Sequence, residues 1–260
     1  MRRICAALIA MAAVTLGEDL DPTPEANPAR PTVSTPATLT PVGYLQFENG
    51  TLFAKQSPEF STRLGINQVT KLTVAPRLQF MLMSEPLVRS RDGGQPVERQ
   101  PGEVFVGTQA VLLAGKERRP AIAFSYIRRM RESPAPEVDL GTFHQGGVLL
   151  ISGDLAGFHY DANAIMNQQQ VLPIRRAQFG QTLSVSHHIR KFTIAGELWH
   201  FTQPFFHSYA MGNLWAVSYP VRGNLVLDGG FQHGFTSTST HSEVFAGFTY
   251  LLPRRLWAIR

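Results

Sequence analysis

Asn224–Gln232 reads NLVLDGGFQ, a stretch in which two kinds of side chain alternate along the chain. Leu227 and Phe231 fall on one side of an extended backbone, while the carboxylate of Asp228 and the amide of Gln232 fall on the other. This period of two indicates a β-strand whose two faces meet different environments. No segment of helical length carries an apolar stripe, so the sequence predicts an all-β protein.

The same alternation recurs throughout the chain after Pro41. It predicts about twelve strands, and an even number is typical of a single-chain bacterial barrel. The predicted strands lie near residues 42–54, 59–66, 69–82, 103–115, 120–131, 146–153, 156–165, 174–187, 191–201, 207–219, 223–234 and 242–252.

The connections between these strands alternate between short and long. Transmembrane barrels have tight turns at one rim and longer loops at the other, whereas an exported β-sandwich has no reason to sort its loops in this way. Short links are predicted near Asn67-Gln68, Lys116–Arg119, Asp154-Leu155, His188–Arg190 and Pro220–Arg222. The longest are predicted at Ser84–Gly102, Glu132–Gln145 and Met166–Pro173.

Lipid explains why such strands must close into a cylinder. The bilayer core offers no hydrogen-bond partners, so every backbone N–H and C=O has to pair strand to strand without a free edge. Most of the predicted segments have the length of about 9–11 residues that crosses the hydrocarbon. We therefore predict a closed antiparallel transmembrane β-barrel over residues 42–260.

Composition excludes several other classes. Of the 260 residues, 43% are hydrophobic and 17% are charged, so the chain is too apolar for disorder and less charged than an ordinary soluble domain. The formal charge is +5 without a run of basic residues, which predicts no nucleic-acid partner. The single cysteine, Cys5, excludes a disulfide framework and a thiolate zinc site.

The first 41 residues read as two segments that precede the barrel. Two arginines at positions 2 and 3 followed by the apolar run Ile4–Leu16 predict a secretory signal peptide over residues 1–17, because the run is too short to span a bilayer. Residues 18–41 contain six prolines, which favours an extended, polyproline-like leader that acts as a linker or a short arm.

If the apolar strand faces meet lipid, the polar faces line the interior. These faces carry ionisable groups of both signs, which we expect to set selectivity by their field and by constriction. Replacing Glu197 and Asp228 together by alanine is accordingly expected to shift ion preference towards anions. The predicted lumen residues are Glu48, Arg63, Arg77, Arg129, Asp161, Arg176, Glu197 and Asp228.

Catalytic residues are not predicted. Serine and histidine are adjacent at Ser186-His187, His207-Ser208 and His241-Ser242, but neighbours on a strand point to opposite faces, and no GxSxG elbow occurs. No histidine pair brackets a carboxylate as a zinc site requires, so neither a metal nor another cofactor is expected.

Several short motifs stand in order along the chain, at Arg30–Pro36, Val42–Gly50, Phe60–Ile66, Gly102–Gly107, Leu227–Gly230 with Gly234–Thr236, and Phe245–Tyr250. Together they resemble the outer-membrane barrels named after a MetA pathway of phenol degradation. The resemblance covers residues 30 to about 252 and implies an outer-membrane barrel that handles small, including aromatic, compounds.

The sequence thus favours a porin-like channel or transporter for a small, aromatic or hydrophobic solute in the outer membrane of a Gram-negative bacterium. Its expected partners are outer-membrane lipid, the solute and the barrel assembly machinery. Two alternatives stay open: an outer-membrane barrel enzyme that acts on lipid, and a soluble exported barrel that binds ligands inside.

Overall fold

A computed structural model describes residues 24–116, 119–136, 138, 143–171 and 173–257. The predicted signal peptide, the first residues of the leader and the last three residues of the chain lie outside these ranges. Within them, no helix has the length and hydropathy needed to cross a membrane.

Over the described residues, thirteen antiparallel strands form one sheet. Each strand pairs with its sequence neighbour, except that β5 pairs with β3, and β1 pairs with both β2 and β13. The short β4 pairs with the C-terminal part of β3, and the other twelve strands close into a cylinder. The strands are β1 (Leu45–Lys55), β2 (Thr62–Ala75), β3 (Leu78–Arg91), β4 (Glu98–Gln100), β5 (Val104–Leu113), β6 (Ala121–Arg131), β7 (Phe143–Leu155), β8 (Phe158–Val171), β9 (Ile174–Ile189), β10 (Phe192–Gln203), β11 (Ser208–Arg222), β12 (Leu225–Gly234) and β13 (Ser242–Leu251).

The cylinder wall has an apolar outer face and a polar inner face, as the alternation predicted. On β10, Leu198 is 53% exposed on the outside, while Glu197 and Trp199 are buried inside. On β12, Phe231 is 52% exposed and Asp228 is buried. An outward apolar face around a closed sheet is the arrangement that suits contact with lipid.

The two ends of the barrel differ in their connections. The end that holds residues 76–77, 114–116, 119–120, 156–157, 190–191 and 223–224 is called the turn end. The opposite end carries residues 56–61, 92–103, 132–136, 138, 173, 204–207 and 235–241, and it is called the loop end. The chain enters β1 and leaves β13 at the turn end.

Three predicted connections were wrong. The predicted long link Ser84–Gly102 begins inside β3, which continues to Arg91, and it contains β4. Asn67 and Gln68 do not form a turn but lie within β2, and the hairpin to β3 turns at 76–77 instead. Proline is disfavoured inside a strand, and Pro76 marks that turn. The predicted long link Met166–Pro173 is also wrong, because β8 continues to Val171 and leaves only two residues before β9.

Candidate functional site

The described part of the leader, residues 24–41, is a loop inside the barrel. Ala26 N donates to Gly223 O at the turn end, 2.8 Å away. Asn27 Nδ2 donates to Leu39 O at 3.1 Å, so the leader runs into the lumen and folds back beside itself. Ser34 and Ala37, near the middle of the loop, are 0% exposed.

One side of the leader is held by a carboxylate on β10. Glu197 accepts hydrogen bonds from Val33 N at 2.7 Å, Ser34 N at 2.7 Å and Ser34 Oγ at 2.6 Å. Ser34 Oγ also lies 2.8 Å from Thr182 Oγ1 on β9. Hydrogen bonds to a charged acceptor are stronger than neutral ones, so Glu197 is the main anchor on this side.

A second anchor is the ion pair between Arg30 of the leader and Asp228 on β12. Arg30 Nη2 lies 3.1 Å from Asp228 Oδ1. The guanidinium fits because residues 50 and 247 of the adjoining strands are glycines. A Cβ at Gly50 would lie 2.4 Å from Arg30 Cζ, and a Cβ at Gly247 would lie 2.8 Å from Arg30 Nε.

Other wall side chains, most of them amides and hydroxyls, complete the set of hydrogen-bond partners of the leader, which is called its seat. No backbone–backbone hydrogen bond joins two of the described leader residues, so their N–H and C=O groups need other partners. Asn163 on β8 meets both backbone groups of Thr35, accepting from its N at 2.7 Å and donating to its O at 3.0 Å. The same function is served by Ser152 for Ala37 N, Gln109 for Pro36 O, Gln79 for Thr40 N, Gln46 for Asn27 N and Glu48 for Ala29 N.

Above the leader, towards the loop end, the lumen contains a chamber of about 450 Å³. The leader residues Arg30, Pro31, Thr32 and Val33 form its floor. Just over half of the wall residues are apolar, and the polar ones are Arg63, Asn67, Gln68, Ser84, Glu85, Glu103, Gln232 and Glu243. The apolar wall residues are Leu52, Val69, Met83, Phe105, Ile127, Val138, Phe143, Trp199, Phe201, Leu214 and Phe245.

The chamber also reaches a charged group near the loop end. Arg63 Nη2 contacts both oxygens of Glu85 at 2.8 Å, and Arg63 Nε donates to Pro136 O at 2.8 Å. Pro136 belongs to the β6–β7 connection, so this arginine ties that loop to the inner wall of β2.

Seven of the eight predicted lumen residues lie on the inner side of the wall. Glu48, Glu197 and Asp228 contact the leader directly, so they hold this segment rather than face an open pore. Asp161 accepts from Ser152 Oγ at 2.5 Å and thereby supports another leader contact.

The remaining arginines are spread over the loop end, and one prediction was wrong. Arg129 pairs with Glu103 at 2.9 Å, while Arg176 donates to Pro204 O and lies over the Phe205 ring at 5.0 Å. Arg77, in contrast, is exposed in the β2–β3 turn and does not line the lumen. Its predicted position assumed that the chain from 69 to 82 is one strand.

The sequence analysis did not predict that the polar side chains of the lumen bind the backbone of the leader. The signal was present in the period-two pattern, because the inward positions carry many amides and hydroxyls besides the charges. Such groups match the backbone of an extended proline-rich segment. The apolar chamber was missed because its residues occupy inward positions near the loop end, where the polar alternation is interrupted.

The histidines near serines bind other groups. His187 Nδ1 lies 2.9 Å from Gly157 O, and His188 Nδ1 lies 2.9 Å from Thr193 Oγ1. The rings of His233 and His241 contact each other with centroids 4.9 Å apart. Over the part of the chain that the structure describes, no group of three or more metal-ligating side chains converges.

The barrel has the fold of outer-membrane channels. No protein-family model matches the chain, and no curated protein matches its sequence. Among solved structures, the COG4313 outer membrane channel from Pseudomonas putida F1 is similar, with 12% identity, a TM-score of 0.57, and coverage of 83% of this chain and 98% of that one. The NanC porin is similar with 10% identity, a TM-score of 0.56, and coverage of 79% and 98% respectively.

Proposed function

We propose that the protein is a non-catalytic outer-membrane channel of a Gram-negative bacterium for small hydrophobic solutes, aromatic compounds among them. The observation that carries this proposal is the apolar chamber of about 450 Å³ inside the barrel. The apolar part of this wall offers nothing to an ion or a sugar, whereas an apolar solute gains free energy from every apolar contact that removes it from water.

The apolar outer surface of the barrel supports a location in the outer membrane. Large apolar side chains such as Phe124, Leu183, Leu198, Trp215 and Phe248 are each at least 39% exposed on the outside of the wall. In water, a contiguous apolar surface of this kind promotes aggregation, whereas in a bilayer it is solvated by lipid. The fold and the short turns at one end favour the outer membrane, with the turn end towards the periplasm.

The leader is consistent with a channel that does not leak ions. It fills the polar part of the lumen with a segment whose backbone groups are hydrogen-bonded to the wall. Solute that enters from the loop end then collects in the chamber on top of the leader, and passage onward requires the leader to shift. The resemblance to the phenol-degradation barrels agrees with an apolar, aromatic solute.

Uptake of an apolar fluorescent dye tests the proposal. Intact bacterial cells with a lipopolysaccharide outer leaflet take up N-phenyl-1-naphthylamine slowly, and cells that display the protein are expected to take it up several times faster. Changing Leu52→Asp places a charge in the chamber wall and is expected to abolish the gain, because a buried carboxylate is costly to desolvate beside an apolar solute.

Gln95→Asp is the matched control, because it adds the same charge to the exposed β3–β5 connection. Equal amounts of heat-modifiable barrel have to be present in all three strains. Dye uptake that is the same with and without the protein, or the same with Leu52→Asp as with Gln95→Asp, contradicts the proposed function.

A further inference from the structure

The chamber wall contains polar atoms that are buried without a partner. Arg63 Nη1 and Asn67 Oδ1, both on β2, have no hydrogen-bond partner, and both residues line the chamber. Arg63 is only 2% exposed. Buried polar atoms are normally satisfied, so an unsatisfied donor and an unsatisfied acceptor in one cavity point to a ligand or to water.

The two atoms are neighbours. Arg63, Gly65 and Asn67 are alternate residues of β2 and therefore point to the same side. A Cβ at Gly65 would lie 2.9 Å from Arg63 Nη1 and 3.5 Å from Asn67 Oδ1. One small group that donates and accepts at the same time can therefore reach both atoms.

The charges of Arg63 and Glu85 determine which ligand groups fit beside these two atoms. The positive charge of Arg63 is already balanced by Glu85, whose two oxygens both contact Nη2. A carboxylate on the ligand would face Glu85 and the oxygen of Asn67, which repel it. An ammonium group would face the guanidinium, and a ketone would satisfy Arg63 but leave Asn67 Oδ1 without a donor. A hydroxyl group satisfies both atoms with a single oxygen and without adding charge.

We infer that Arg63 and Asn67 form a binding site for the hydroxyl group of an uncharged alcohol whose body lies in the apolar chamber. The hydroxyl oxygen accepts from Arg63 Nη1, and the hydroxyl hydrogen is donated to Asn67 Oδ1. The apolar body packs against Val69, Met83 and Phe105, which line the chamber beside them. A hydroxyl reproduces the hydrogen bonds of the water it displaces, so its desolvation is compensated. This inference rests on the proposed function and adds the chemistry of the solute.

Four ligands with the same carbon cage test the inference. 2-Adamantanol, 2-adamantanone, 2-adamantanecarboxylate and 2-adamantylammonium all carry their polar group at the same carbon of the cage. Their binding to the full chain in lipid nanodiscs is measured by isothermal titration calorimetry, with empty nanodiscs subtracted. The alcohol is expected to bind about five to ten times more tightly than the ketone, since it makes one more hydrogen bond to a buried acceptor. Both charged ligands are expected to bind more weakly than the ketone.

Two substitutions assign the effect to the two side chains. Asn67→Ala is expected to weaken the alcohol about five- to tenfold and to leave the ketone unchanged, so that the two bind alike. Arg63→Lys keeps the charge beside Glu85 but removes Nη1, and it is expected to weaken alcohol and ketone together. Thr51→Ala, on the outer face of the neighbouring β1, is the control and is expected to change neither.

The outcomes separate this inference from the proposed function. If alcohol and ketone bind the wild-type chamber equally, or if Asn67→Ala leaves their ratio unchanged, the hydroxyl site is wrong while the apolar chamber still binds its solute. Preferential binding of the carboxylate also overturns the site. If no adamantane ligand binds while the barrel remains heat-modifiable, the hydroxyl site and the proposed function both fail.

Discussion

At the scale of single residues, the charged side chains of the lumen act mainly on the leader. Glu197 receives three hydrogen bonds from Val33 and Ser34, and a carboxylate is the only side chain of this size that accepts all three without offering a donor. The sequence predicted the inward position of Glu197 correctly. It assigned the residue to ion selectivity, because nothing in the local pattern reveals that another part of the chain lies opposite.

Glu197→Gln is therefore expected to loosen the leader. The glutamine amide turns a donor towards the N–H groups of the leader, so at least one of the three hydrogen bonds is lost. We expect larger and more frequent openings in planar bilayer recordings than for the wild type. Asp154→Asn, which removes the same charge at an exposed residue of the turn end, serves as the control. Identical conductance of Glu197→Gln and wild type would contradict the anchoring role.

A second substitution tests the other anchor without altering any charge. Gly50→Leu places a side chain where the Arg30 guanidinium lies and is expected to separate Arg30 from Asp228. The leader should then become accessible to added protease while the barrel strands stay protected. Gly229→Leu on the outer face of β12 is the matched change, and cleavage of the leader at the same rate in both variants would argue against the seat described here.

At the scale of elements, the strands were predictable and one hairpin was not. The alternation located the strands near β10 and β12 to within a few residues, because each face of the wall meets one solvent. It misplaced the β2–β3 turn, because the polar pair Asn67-Gln68 resembles a turn. In the structure the pair lies within β2, with Asn67 pointing inward and Gln68 pointing outward. The turn at 76–77 keeps the local pattern almost unbroken, so periodicity alone did not reveal it.

The position of the leader as an element can be checked by a disulfide. Ser34 Oγ and Thr182 Oγ1 are 2.8 Å apart, which brings the two Cβ atoms near the separation found in disulfides. Ser34→Cys with Thr182→Cys is expected to form a crosslink that reduces openings, and reduction should restore them. Leu183→Cys replaces Thr182→Cys in the control, because Leu183 points outward. Crosslinking in the control but not in the test pair would place the leader elsewhere.

At the scale of the whole molecule, the outer apolar face determines which solvent the barrel requires. Leu198→Arg puts a charge near the middle of a strand on that face. We expect it to lower the free energy of unfolding in lipid vesicles by roughly 2–4 kcal/mol. Urea titration followed by the folded-versus-boiled gel shift measures this change. Gln95→Arg in the β3–β5 connection is expected to have little effect, and equal loss for both substitutions would mean that the outer face does not meet hydrocarbon.

Strand number and closure were predictable for the whole molecule, whereas the contents of the lumen were not. Closure follows from one rule, that lipid tolerates no free edge in a sheet whose strands have an apolar and a polar face. The chamber and the leader depend on contacts between residues far apart in the chain, such as Val33 with Glu197 or Arg30 with Asp228. A single sequence contains no periodic signal for contacts of this kind.

The seat of the leader has a consequence for biogenesis. Its hydrogen-bond partners are spread over strands from β1 to β12, so an isolated hairpin offers only one or two of them. The leader precedes β1 and is synthesised first, yet its binding partners exist together only after β1 has met β13. Binding of the leader and closure of the cylinder are therefore coupled. A folding intermediate in which β1 has not yet paired with β13 exposes the leader, which the closed barrel buries.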